Sequence, residues 1–151
     1  MGKTTRNGFY VDLVIDTNIL FSALLKPDSN ELKIVTSGKH EIYACQYSVV
    51  ELFKHKEKLL KLSGLQEEKL IEIYYLLLQQ IHPLEERKFS KKIRQRAFDL
   101  CNKVDPYDMI FVATALFIDG FLWTGDKKLA NGLRKNGYNN IITTSELLSA
   151  L

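Results

Sequence analysis

Proline is scarce in this chain and cysteine scarcer, with three of the one and two of the other in 151 residues. No proline-rich linker divides the sequence, so a single domain is expected, long enough to bury a core of its own. Cys45 and Cys101 lie far apart and in no ligand spacing. That excludes a disulfide framework and a cysteine-based zinc site, and it fits a reduced, cytosolic setting. Membrane-spanning runs are missing too: LIEIYYLLLQQI is short and carries Glu72. The opening MGKTTRNGFY lacks the apolar segment of a signal peptide, and Arg6 stands where a myristoylation signal needs Ser or Thr. GKT at residues 2–4 has no glycine-rich loop before it, so a phosphate-binding P-loop is excluded. Charge is nearly balanced, with 21 Lys and Arg against 18 Asp and Glu. The net charge of +3 permits a polyanionic partner without requiring one. The three histidines, His40, His55 and His82, form no ligand spacing.

What is present is an alternation of strand-like and helix-like patterns. VDLVID at 11–16 reads as a buried strand, followed by a helix over about 18–26. A short helix after Ser29 or Asn30 stops at Gly38. EIYACQ is a second strand, leading into a helix from Ser48 to about Lys61. In LQEEKLIEIYYLLLQQ, Leu70, Ile73, Tyr74, Leu77 and Leu78 recur at helical spacing. A brief strand at 81–84, a basic helix over about 90–103 and a helix opening at Asp105-Pro106 follow. GFLWTG is a strand, DKKLANGLRKNG a helix closed by Gly137, and NNIITT a last strand before a terminal helix. Such alternation predicts an α/β fold: a three-layer α/β/α sandwich around a mainly parallel sheet, occupying residues 11–151.

In an open parallel sheet, functional groups gather at the carboxyl ends of the strands. Asp16 ends the first strand, and Glu51 lies early in the helix after the second. Asp105 and Asp108 open the helix at Pro106, and Asp126 follows FLWT. Each acid has a plain structural alternative. Ser48 and Glu51 have the spacing of a capping box, while Asp105, Asp108 and Asp126 suit helix starts. Asp16 is harder to explain as a cap alone, because it directly follows a strongly apolar run. Convergent carboxylates repel unless a cation sits among them, and hard oxygen ligands suit Mg²⁺ or Mn²⁺ rather than zinc.

VIDTNIL, SVVEL, DPYDMIFVATAL and LWTGDKKL resemble, in order and spacing, the motifs of the PIN domain family. The resemblance spans Val14 to Leu129 and implies a compact α/β/α sandwich and a metal-dependent ribonuclease. It carries the four catalytic acids onto Asp16, Glu51, Asp108 and Asp126, with Asp105 as an extra acid found in a subset of the family. These would hold Mg²⁺ or Mn²⁺. Thr17 and Asn18 match the polar pair after the first acid, with Asn18 orienting the carboxylate or the scissile phosphate. Thr124 matches the hydroxyl before the last acid and would donate to a phosphate oxygen. Glu51 would orient the attacking water. Residues 1–10 have no motif counterpart and are expected to be a flexible or tag-like extension. The chain's small size resembles the toxin halves of toxin–antitoxin pairs, implying an antitoxin partner.

An RNA substrate calls for cationic contacts. RKFSKKIRQR at 87–96 supplies six cations, spread over more than one helix face, and Lys127 and Lys128 stand beside Asp126. The helix over 65–80 is apolar on more than one side, which suits core packing, a homodimer contact or capture of an antitoxin segment. Two rival readings are a non-catalytic PIN-like module that binds RNA or protein, and a phosphatase of the haloacid dehalogenase type. The latter needs a second Asp two residues after the first, where this chain has Asn18.

Overall fold

The computed structural model describes residues 3–5, 8–102, 104 and 106–150 of the chain, with side chains described from Tyr10 onward except at Pro106. Two short strands, β1 (Lys3–Thr5) and β2 (Gly8–Tyr10), pair antiparallel as a separate ribbon. The segment expected to be an extension therefore carries backbone pairing of its own.

The main sheet has five strands: β3 (Asp12–Ile15), β4 (Glu41–Cys45), β5 (Ile81–Leu84), β6 (Phe121–Trp123) and β7 (Ile141–Ile142). Their order is β5-β4-β3-β6-β7, and every neighbouring pair is parallel. Parallel neighbours require crossovers, and helices supply them. Between β3 and β4 run α1 (Thr17–Leu25) and α2 (Asn30–Thr36). Between β4 and β5 run α3 (Gln46–Lys54), α4 (Lys56–Ser63) and α5 (Glu67–Gln79). The chain then crosses to the other side of β3 through α6 (Lys91–Cys101) and α7 (Met109–Ile118). α8 (Lys127–Lys135) joins β6 to β7, and α9 (Thr144–Ser149) follows.

Strand periodicity divides the core into two layers. Leu13 and Ile15 face one side, with Ile19, Leu20, Ile34, Leu77, Trp123 and Leu147. Val14 faces the other, with Ala97, Phe111, Val112, Leu122, Leu129 and Leu133. Trp123 is fully buried, and its Nε1–H donates to Thr144 Oγ1 at 3.0 Å. The expected three-layer α/β/α sandwich is thus the observed fold. α7 is apolar almost all round (MIFVATALFI) because it packs against β3 and β4 on one side and α6 on the other.

The expected helix from Ser48 is in fact two. α3 begins directly where β4 ends, at Gln46, and a break at His55 separates it from α4. Ser48 is therefore inside the helix and buried, not at its cap.

Candidate functional site

Strand order reverses between β3 and β6: the chain builds outward through β4 and β5, then returns to β6 on the opposite side of β3. A crevice opens outside the carboxyl ends of strands at such a point. Asp16 leaves β3 there, and Thr124 to Asp126 leave β6 beside it.

Asp16 is only 3% exposed. As the N-cap of α1 its Oδ1 accepts the N–H of Ile19 at 2.8 Å, and its Oδ2 accepts the hydroxyl of Thr124 at 2.9 Å. Burial pushes the Asp16 carboxyl above the ordinary carboxylate range, and the nearby charge of Asp126 pushes the same way. The bonds from Ile19 and Thr124 pull against that shift without cancelling it. Asp126 caps α8, its Oδ1 accepting the Leu129 N–H at 3.0 Å, and its own N–H donates to Thr124 Oγ1 at 3.1 Å. Thr124 has one hydroxyl proton, and that proton goes to Asp16. This buried hydroxyl orients the first carboxylate.

Glu51 does not close a capping box. With Ser48 inside α3, its carboxylate instead accepts the Thr17 hydroxyl, Thr17 Oγ1 to Glu51 Oε2 being 2.7 Å. Thr17 Oγ1 also lies 3.3 Å from Ser48 Oγ, which in turn lies 3.2 Å from Cys45 Sγ. A polar thread thus ties the end of β4 to the start of α1 and fixes Glu51 near Asp16. Asp108 stands at the N-terminus of α7, after a 3-10 turn at Pro106–Asp108, and makes no side-chain capping bond.

A cleft of about 620 Å³ is lined by Asp16, Thr17, Asn18, Glu51 and Asp108 together with Tyr47, Glu86 and Tyr107. It brings together three of the four expected catalytic acids and both members of the polar pair. Asp126 is exposed and acts on Asp16 through its charge. Lys127 is exposed on the first turn of α8, outside the cleft lining. Asp105 lies outside the described residues. Of the basic helix, Arg94 is committed to the backbone, donating to the carbonyls of Phe89 and Glu86 at 3.1 and 2.9 Å.

Sequence reasoning passed over Glu86, Tyr47 and Tyr107. Glu86 follows β5 and obeys the same strand-end rule as the other acids. Its Oε1 accepts the Tyr47 N–H at 2.6 Å, in the first turn of α3, where Cys45 supplies no side-chain cap. The two tyrosines carried no signal beyond their nearness to motif acids. Among the described residues, no three His, Cys, Asp or Glu groups stand close enough together to hold one ion jointly. The acids that line the cleft nevertheless offer oxygen donors.

A five-stranded parallel sheet between helical layers, with an acid-lined cleft at its switch point, defines an α/β/α fold with its candidate site at the strand ends. The sequence model of the PIN domain family matches residues 14–146, and the chain belongs to that family. Two solved structures share its fold. One is a toxin–antitoxin complex from Klebsiella pneumoniae, 17% identical, with a TM-score of 0.61 over 88% of this chain and 98% of that one. The other is FitAcB from Neisseria gonorrhoeae, 20% identical, with a TM-score of 0.56 over the same shares of the two chains. No curated protein matches the chain.

Proposed function

We propose that this protein is a metal-dependent endoribonuclease and the toxin component of a toxin–antitoxin pair. The observation that carries the nuclease reading is Asp16, a carboxylate only 3% exposed that lines one cleft with two further acids, Glu51 and Asp108. Burying a charge in this way costs stability unless the site has a use for it.

The donor set fits a small hard cation, since oxygen ligands prevail and no cysteine or histidine lines the cleft. The spacing among the acids is open, and Mg²⁺ in particular keeps several waters and takes only one or two protein carboxylates. Asp16, Asp108 and Asp126 would hold the ion, with Glu51 direct or through water. A bound Mg²⁺ or Mn²⁺ would supply a Lewis acid that makes water nucleophilic near neutral pH and offsets charge on the reacting phosphate. Thr124 keeps Asp16 aligned and partly stabilises its ionised form. Glu51, with Oε2 taken by Thr17, has Oε1 available to orient the attacking water and accept its proton. Asn18, exposed at the cleft rim, would donate to a phosphate oxygen.

The toxin role and an antitoxin protein partner are inferred from the toxin–antitoxin complex among the structures of the same fold. A homodimer is inferred from the exposed apolar residues Ile71, Tyr75 and Leu76 of α5, and a cytosolic setting from the scarcity of cysteine. Among the described residues, no helix is long and apolar enough to cross a membrane. A non-catalytic RNA- or protein-binding module is the second reading, favoured by the open spacing of the acids. Cleavage of a labelled single-stranded RNA by wild type, but not by Asp16→Asn or in EDTA, is the expected result. RNA bound but never cut, at any Mn²⁺ concentration, would favour the binding module.

A further inference from the structure

The acid cleft does not end at Glu51. A second hollow of about 150 Å³ shares Thr17, Asn18 and Glu51 with it and continues to Phe21, His55 and Lys58. The two flanks of the carboxylates differ in chemistry. On one side stand Tyr47 and Tyr107, 46% and 88% exposed. On the other, Lys58 Nζ lies 5.5 Å from the centre of the Phe21 ring, and the His55 ring meets Phe21 edge-on at 6.4 Å. Tyr107 is carried on the same 3-10 turn as Asp108, which ties its backbone to one of the acids, and the residue is largely exposed. Tyr47 is held from behind by the bond of its N–H to Glu86.

We propose that Tyr47 and Tyr107 form a base-stacking clamp on one flank of the carboxylates, while the Phe21–His55–Lys58 corner receives the neighbouring backbone phosphates on the other. The reasoning is electrostatic and steric, and it rests on the nuclease reading of the cleft. An acid-lined centre repels a polyanion, so affinity must come from the flanks. Cations answer phosphates, and aromatic faces answer bases whatever their identity. A base can reach a tyrosine face only when it is unstacked from its neighbours, so the groove takes an unpaired strand and discriminates against a duplex. Tyr107 and Tyr47 are accordingly specificity-determining residues.

The test is equilibrium binding in full-length Asp16→Asn protein with Mn²⁺, read by fluorescence anisotropy of a labelled 12-nucleotide RNA and of the same sequence within a blunt hairpin. The single strand is expected to bind at least about tenfold more tightly than the hairpin. Tyr107→Ala weakens strand binding about tenfold and Tyr107→Trp restores it, as loss and return of one stacked base require. Scanning a single abasic site along the strand finds a position whose loss costs as much, and that loss adds nothing in the Tyr107→Ala protein. Lys58→Ala leaves the abasic effect intact and lowers the slope of log K against log salt by about 0.7. Because Tyr107 is so exposed, its variants should melt as the parent does, which separates contact from folding. Unchanged binding by Tyr107→Ala, full additivity with every abasic position, or equal binding of strand and hairpin would each overturn the clamp while leaving the nuclease standing. Failure of the nuclease reading shows differently: wild type, assayed alongside, binds these RNAs without cutting them at any Mn²⁺ concentration, whereas a wild type that neither binds nor cuts overturns both proposals.

Discussion

Asp16 gathers the consequences of the fold into one side chain. Its carboxyl is pushed above the ordinary range, chiefly by burial and then by the charge of Asp126, against the opposing bonds from Ile19 and Thr124. The folded protein therefore holds the Asp16 proton more tightly than the unfolded chain does. That contribution to stability is fully present below the ordinary carboxylate pKa and is lost as pH rises through the raised value. Above the raised value the folded wild type must hold Asp16 ionised and buried, a state that Asp16→Asn never enters. The variant should consequently melt no lower than wild type at pH 7, with any advantage vanishing in acid; calorimetry across pH checks this. A variant that melts several degrees lower at pH 7 would contradict it. Thr124→Val removes the hydroxyl from Oδ2, so the Asp16 carboxyl rises further and costs about 2 kcal/mol of stability, as for a bond to a charged group. In the proposed mechanism Asp16 acts ionised, so the acid limb of kcat/KM against pH should move to higher pH in this variant. The acids were legible in the sequence because strand ends are. The hydroxyl bonds were not, because Thr124 and Asp16 are 108 positions apart.

Among the elements, α3 shows how a local motif can mislead. Ser48 and Glu51 have capping-box spacing, yet β4 passes into α3 with no loop, and the cap is supplied from the turn at Glu86–Lys88. Glu86→Ala should therefore cost about 1 kcal/mol, the usual worth of an N-cap, measurable by denaturant titration. Ser48→Ala, by contrast, should disturb the buried contacts to Cys45 and Thr17 rather than the helix start. Gly120, between α7 and β6, is constrained by backbone: a Cβ there would stand 2.5 Å from the Asp12 carbonyl of β3. Gly120→Ala should destabilise by about 2 kcal/mol, the scale of overpacking, because a strand backbone cannot swing aside. Helix and strand identities were legible from periodicity along α1, α5, α6 and the buried strands. The break between α3 and α4 at His55 was not, since LFKHKEKLL keeps helical spacing straight through it.

At the scale of the whole molecule, sheet order does what no segment does alone. Placing β6 beside β3 brings Asp16, Thr124 and Asp126 together across the switch point. Alternating strand and helix patterns pointed to a parallel sheet, but strand order depends on which helices cover which face, and that is a property of packing. The motif acids supplied what periodicity could not, which is why the site was legible before its geometry was. The proposed metal binding is the global property most open to measurement. Mn²⁺ at about 100 times its Kd should raise the stability of wild type by about 2.7 kcal/mol, and that of Asp16→Asn far less, read as a thermal shift. The most direct test of the central claim is cleavage of a labelled single-stranded RNA by wild type and Asp16→Asn, each with Mn²⁺ or with EDTA. Cleavage by wild type with Mn²⁺ alone is the expected result. Equal cleavage by both proteins, or cleavage that survives EDTA, would contradict a metal-dependent nuclease centred on Asp16.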